Sequence, residues 1–251
     1  RHDGVTQPVW VVPTGVDPSV FGPGDTSQAR QRFHLPEGAF VIGHVGRLAP
    51  EKNLAFLTRC VTRAMRRCRH ARFLLVGAGP LAAEVRSRLG GAGLGERLHM
   101  PGEVSGPALT DAYRAMDVFV FASQTETQGM VLAEALATGV PVVAVDAPGV
   151  REIMRDEVNG KLIPTEDERQ FVKGLLQISA LTTTARADMR RAVLASSRDW
   201  TIDRSVQLAL ALYGSLAGRG RAGDPASDSL WNLSVRRIRR ELEILGNLAG
   251  A

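Results

Sequence analysis

In 251 residues the sequence has only two cysteines, 5% aromatic side chains and no apolar run long enough to cross a bilayer. Cys60 and Cys68 fall on one expected helix, about 12 Å apart along its axis, too far for a disulfide and at no metal-binding spacing. A disulfide scaffold and a zinc module are thereby excluded, and both thiols are expected to be idle. The scarcity of aromatics, with no helix-turn-helix, zinc-finger or RNA-recognition signature, argues against a nucleic-acid partner. The net charge of +5 still favours an anionic one. With neither a membrane span nor a signal peptide, the expected location is cytoplasmic, with peripheral attachment to the membrane's cytoplasmic face left open. No Asp-x-Asp pair is present to carry a divalent ion. The first residue is Arg, and the opening RHDGVTQPVWVVPTGVD reads as a connector entering a strand, so a segment of a longer protein is expected.

What is present is an ordinary globular composition, 44% hydrophobic and 23% charged, enough for one large domain or two small ones. Residues 39–45 (AFVIGHV), 73–76, 98–102, 117–121, 140–145 and 161–163 read as buried-type strands. Between them lie helical stretches at 53–69, up to about 89, 109–116 and 130–138. From 166 to 216 the chain is helical in pieces, broken near Asp199 and Trp200. Strands alternating with helices imply a parallel sheet covered on both faces, an α/β Rossmann-like doubly wound domain with C-terminal helices. Residues 13–15 and 18–24 read as turns. The expected organisation is a connector and first strand over 1–18, the Rossmann-like domain with crossover helices over 19–218, a linker over 219–229 and a final helix over 230–251. Trp231, Val235, Ile238, Leu242 and Leu245 line one face of that helix, flanked by Arg236, Arg237, Arg239 and Arg240. Docking on protein, lying on a membrane surface and a short coiled coil all remain open for it.

The chemistry concentrates in residues 121–134, FASQTETQGMVLAE, which cross from a strand through a loop into a helix. Glu126 belongs to the loop and Glu134 to the helix about one turn in. Gly129 leaves the helix entrance approachable, so the N–H groups of Gly129, Met130 and Val131 can meet an anion. Carboxylates beside an anion site suit sugar hydroxyls, since an ionised Glu only accepts hydrogen bonds. In GRLAPEKN, after the first strand, Arg47 and Lys52 can hold a diphosphate and neutralise its growing charge as a leaving group. All of these groups come from C-terminal ends of strands, where this architecture places ligands.

In that order and spacing, GRLAPEKN, VGAGP, MPGEV, SQTETQGMVLAEALATGVPVVA and DAPGVREI resemble the retaining glycosyltransferases of GT-B architecture, family-four type, over roughly residues 12–216. The resemblance implies that Gly46, Arg47 and Lys52 contact the donor diphosphate, Glu126 the transferred sugar and Glu134 the ribose hydroxyls. Gly129, Met130 and Val131 would help through their backbones. Gly77, Gly79, Met100, Pro101 and Gly102 would border the base, and the loop 148–152 would approach the sugar. It implies Arg47, Lys52 and Glu126 as the catalytic set and a donor such as UDP-glucose or GDP-mannose. It also implies no cofactor, no obligatory metal and retention at the anomeric carbon.

Two departures shape the expectation. Thr127 and Gln128 follow Glu126 where much of the family has Gly and an aromatic. TETQG is similar to bacterial enzymes that glycosylate diacylglycerol and related lipids. With the basic helix bearing Arg59, Arg63, Arg66 and Arg67, it leans toward a membrane lipid acceptor and an anionic membrane surface as partner. The second departure is that the N-terminal half supplying the acceptor pocket in the family is not in the chain, so weak or no turnover by the chain alone is expected. Two alternatives stay open: a nucleotide-sugar-binding module without turnover, and a nicotinamide-dependent oxidoreductase, for which VGAGP lacks the third glycine.

Overall fold

The computed structural model describes residues 8–220, so the expected helix at 230–251 and the linker from 221 onward lie outside the described residues. Six strands form one parallel sheet: β1 (Phe40–Val45), β2 (Ala71–Val76), β3 (Leu98–Gly102), β4 (Val118–Phe121), β5 (Val142–Val145) and β6 (Gly160–Ile163). Their order across the sheet is β3-β2-β1-β4-β5-β6. β1 pairs with β2 from Phe40 opposite Ala71 to Val45 opposite Val76, and with β4 at Ile42 opposite Val118. The helices are α1 (Thr26–Arg32), α2 (Leu54–Arg67), α3 (Ala82–Gly91), α4 (Pro107–Arg114), α5 (Met130–Ala137), α6 (Pro148–Ile153), α7 (Glu168–Ser179), α8 (Thr183–Ser197) and α9 (Ile202–Gly220).

Alternation along each strand decides which helices cover which face. In β4, Phe119 and Phe121 point into the core shared with α1, α4, α5, α6 and α8, while Val118 and Val120 point into the core shared with α2, α3 and α7. Strands buried on both faces are continuous apolar runs, which is why they read clearly in the sequence. Cys60 lies in α2 and Cys68 caps its C-terminal end; both are free thiols within the core.

At the N-terminal end of β4, Asp117 joins three elements. Its carboxylate accepts from Arg30 Nη2 of α1 at 2.7 Å, Arg186 Nη1 of α8 at 2.8 Å and the Val41 backbone N–H of β1 at 2.7 Å. Close backbone approach fixes two glycines. A Cβ on Gly160 would fall 1.8 Å from the Val142 carbonyl, and one on Gly15 2.2 Å from the Thr201 backbone. Residues 13–15 therefore do not turn, as the sequence suggested, but lead directly into a bridge between Val16 and Thr201. The backbone N–H of Val16 donates to Trp200 O at 2.7 Å, and that of Ile202 donates to Val16 O at 3.0 Å.

The chain divides into a compact body ending at Ser205 and a second unit from Val206. Within the second unit the described backbone is helical through Gly220, so the residues 218–220 that composition marked as linker are helix.

Candidate active site

β1 and β4 are neighbours, yet from them the chain winds outward in opposite directions, to β2 and β3 on one side and to β5 and β6 on the other. Their C-terminal ends form the switch-point crevice that open α/β sheets use for ligands. Two loops reach it. The first, after β1, makes a tight turn at Pro50–Lys52 and enters α2 at Asn53, whose φ of 53° is left-handed. The second, after β4, ends at Gly129, also left-handed at φ 59°, where α5 begins without a side-chain cap. Its first-turn N–H groups, those of Met130 and Val131 included, are thus left for an external acceptor at the crevice end of the helix.

Hydrogen bonds hold the two loops together. Ser123 Oγ donates to Glu51 O at 2.9 Å, and Asn53 Nδ2 donates to Glu166 Oε1 at 2.8 Å, which also accepts from Gln124 Nε2 at 2.5 Å. Gly149, at the start of α6, lets that helix press on the second loop; a Cβ there would stand 2.4 Å from Glu126 O. The result is a direct ion pair, Lys52 Nζ to Glu126 Oε2 at 2.8 Å, with the two side chains 22% and 21% exposed. Residues 74 positions apart in sequence thus neutralise each other in the crevice. Arg47 is different. Its side chain is 72% exposed and, among the described residues, pairs with Glu51 alone, at 3.8 Å, so the guanidinium is held by little and can follow a ligand.

Glu134 lies deeper, on α5. Tyr113 Oη donates to Glu134 Oε2 at 2.6 Å. The direction is settled by the Tyr113 phenol, whose burial holds its pKa well above the ordinary value and keeps it protonated. Burial also raises the Glu134 pKa, partly countered by the hydrogen bond from Tyr113. Tyr113 is itself clamped, with ring centroids 6.0 Å from Phe21 and 5.8 Å from Phe119. One Glu134 oxygen is therefore fixed by the phenol, and the carboxylate keeps further acceptor capacity for a ligand.

Beneath the first loop lies His44 of β1, fully buried and stacked by Phe119 and Phe121. Its Nδ1 is 2.9 Å from Val120 O, which can only accept, so Nδ1 carries the proton; Nε2 has no partner among the described residues. Burial pulls its pKa down to about 4, helped by the Lys52 charge and opposed by the Val120 hydrogen bond. Unfolded, the imidazole binds its proton below about pH 6.5, whereas folded it stays neutral to about pH 4, so stability is lost as pH falls through that window. Urea unfolding is expected to show about 2 kcal/mol less stability at pH 5 than at pH 7 from this group. A His44→Gln chain should lack that slope; an unchanged slope would place the proton uptake elsewhere.

Beside Arg47, a cleft of about 460 Å³ opens at the C-terminal ends of β1 and β2. It is lined by Gly46, Gly77 and Ala78 on one side and by Glu103, Val104 and Ser105 on the other. Gly77 and Gly79 are glycine for packing reasons, since a Cβ would meet Gly46 O at 2.0 Å or Leu48 O at 2.4 Å. The VGAGP pattern thus needs no dinucleotide to explain it. The Met100 side chain packs against the α2 core, and the cleft is lined by the residues just past Gly102. The structure brings Lys52 and Glu126 together, hangs Arg47 at the rim and places Glu134 on the helix that closes the crevice. Sequence reasoning missed Tyr113, His44 and residues 103–105 as site residues; Glu103 and Val104 lay within the MPGEV motif, which was the signal at hand.

The family model for "Glycosyl transferases group 1" matches residues 39–180. A D-inositol 3-phosphate glycosyltransferase of Actinosynnema mirum is 33% identical over 215 residues, covering 82% of this chain and 51% of the relative. The chain spans about half the length of the curated relatives it matches. The Anabaena protein HepE, solved with UDP and glucose, superimposes with a TM-score of 0.69 at 23% identity, over 81% of this chain and 55% of that one. The C-terminal domain of LpcC, a glycosyl transferase group 1 family protein from Francisella tularensis, superimposes with a TM-score of 0.68 at 23% identity, over 75% of this chain and 100% of that one. With the sheet order, the switch-point crevice and the motifs in sequence all agreeing, the chain belongs to the group 1 glycosyltransferases and carries the C-terminal half of a GT-B enzyme.

Proposed function

We propose that this chain is the donor-binding half of a retaining glycosyltransferase, holding a nucleotide diphosphate sugar in the β1–β4 crevice for transfer to an acceptor. The observation that carries the reading is the meeting of Lys52, Glu126 and the uncapped start of α5 at the switch point, with Glu134 held by Tyr113 one turn further in. Relatives named as glycosyltransferases, and a fold neighbour solved with UDP and glucose, support it.

In this reading the diphosphate draws Lys52 from Glu126 and gathers Arg47 from solvent. When the bond between the anomeric carbon and the phosphate oxygen breaks, both electrons stay on that oxygen. Lys52, Arg47 and the N–H groups of Met130 and Val131 meet the resulting charge. Glu126, released from Lys52, accepts from a hydroxyl of the transferred sugar, and Glu134 accepts from the ribose. The cleft lined by Gly77, Ala78 and Val104 takes the base. Positive charge at the diphosphate comes from side chains and backbone, so the reading requires no divalent metal. The acceptor side belongs to the N-terminal half of the parent, and TETQG together with the basic balance favours a membrane lipid there. Alone, the chain should bind donor and turn over little.

Calorimetric titration with UDP, GDP, ADP, UDP-glucose, GDP-mannose and NAD tests the reading, with one nucleoside diphosphate expected to bind. Binding of NAD alone would refute it. A second result is expected at the ribose. Glu134→Ala should weaken the preferred nucleotide about 10- to 100-fold, the worth of one or two charge-assisted hydrogen bonds. Tyr113→Phe should weaken it less, by freeing the carboxylate to turn. Both penalties should vanish for the 2′,3′-dideoxy nucleotide; penalties that persist there would make these residues structural.

A further inference from the structure

The β1–β4 crevice uses none of the four arginines that line a second depression, on the α2–α3 side of the body. Arg59, Arg63 and Arg66 stand on one stripe of α2, and Arg88 faces them from α3, around an open groove of about 350 Å³. Arg66 lies thirteen residues along α2 from Asn53, about 20 Å from the crevice. We propose that this groove is a second anion site, taking a phosphate-bearing ligand independently of the donor.

Four features support a built site over a merely solvated face. First, one carboxylate organises two of the arginines: Glu168 of α7 pairs with Arg59 Nε at 2.5 Å and with Arg63 Nη1 at 3.2 Å. The Arg59 guanidinium also rests 5.9 Å from the Phe56 ring centroid. Each guanidinium has five N–H donors in a fixed fork, so a single shared carboxylate leaves most of them for a ligand. Second, the charge does not cancel. Arg88 pairs with Glu84 at 2.8 Å, whereas Arg66 makes no ion pair among the described residues, leaving four cations against two carboxylates. Third, the Thr62 hydroxyl, on a residue of the same wall, is buried without a hydrogen-bond partner among the described residues. Fourth, the far wall is kept low by Gly91, where an added Cβ would meet nothing within 4 Å. Forked donors lining a concave surface of this size suit a phosphate monoester or diphosphate, whether on a soluble molecule or on a lipid headgroup.

The test uses the 251-residue chain in an Arg47→Ala, Lys52→Ala background, so that its outcome does not depend on whether the crevice takes nucleotide. Inorganic pyrophosphate is titrated by calorimetry. In parallel, co-sedimentation is measured with phosphatidylcholine vesicles, plain or doped with phosphatidylglycerol. Two further changes are compared, Arg63→Ala with Arg66→Ala, and Gly91→Leu, which fills the groove without altering charge. Thermal melting checks that each variant folds.

A loss of at least about tenfold from both changes is expected. In the pyrophosphate arm it identifies a soluble phosphate-bearing ligand; in the doped-vesicle arm, a lipid headgroup. Residues 221–251, arginines included, are common to every variant, so only the difference between variants is read. Sensitivity to the arginine pair but not to Gly91→Leu would mean diffuse attraction and overturn the site. Insensitivity to both in each arm would overturn it as well.

Discussion

A chain carrying Arg47→Ala and Lys52→Ala together is expected to bind its nucleoside diphosphate at least about 100-fold more weakly than the parent, the loss of two charge-assisted contacts to phosphate. Lys52→Ala should account for most of this. The Lys52 ammonium is already positioned over the crevice, whereas Arg47 must be ordered from 72% exposure before it contributes. Glu126→Gln separates the two halves of the ion pair. With the competing carboxylate charge gone, Lys52 is freer, and UDP alone should bind as well as before or better. UDP-sugar should lose its advantage over UDP, because the sugar hydroxyl no longer meets a carboxylate. Isothermal titration of the four chains with UDP and UDP-glucose, or with GDP and GDP-mannose if guanine is preferred, reads both effects. Equal binding by the double variant and the parent would remove the diphosphate from this crevice.

Asp117→Ala should give the largest loss of stability. The side chain is 14% exposed and accepts from two arginines on different helices and from the Val41 N–H inside the sheet. Its removal strands a buried backbone donor and uncouples α1 and α8 from β1. The expected cost is about 3 to 5 kcal/mol. For a body of this size that is roughly a 10 °C fall in melting temperature. Asp117→Asn should recover part of the loss by keeping an acceptor for the Val41 N–H. Nucleotide affinity measured well below the melting temperature should be unchanged in both, because Asp117 sits at the opposite end of β4 from the crevice. A change of less than about 1 kcal/mol would show that the arginines find water as good a partner.

The contrast between Lys52 and Asp117 shows what was legible in advance. Lys52 and Glu126 were readable because each lies next to a strand end, and the alternation of strands and helices brings strand ends together. Chain connectivity alone makes them neighbours. Both apolar faces of β4 were readable for a similar reason, since a strand buried on both sides has no polar interruption. Asp117 was visible only as the first letter of a strand, because its partners lie 87, 76 and 69 positions away and depend on how helices pack. The Tyr113 support of Glu134 and the neutral state of His44 were hidden likewise, being consequences of burial. Gly77 and Gly79 have a packing reason to be glycine that the sequence did not show. A glycine reads alike whether a ligand or a carbonyl needs the space, and here Gly46 O and Leu48 O occupy it.

The idle thiols have a practical use. Cys60 has no exposed surface, and burial beneath α2 pushes its pKa up to about 12, so native Cys60 is both hidden and protonated. Only a molecule in which α2 has lifted from the sheet offers a reactive thiolate. The rate at which an alkylating reagent adds mass to Cys60, read by peptide mass spectrometry, is therefore a clock for that opening. Any ligand that binds only the closed form slows the clock in proportion to its occupancy. For a polypeptide that need not turn over any substrate, this clock supplies an assay native to the chain.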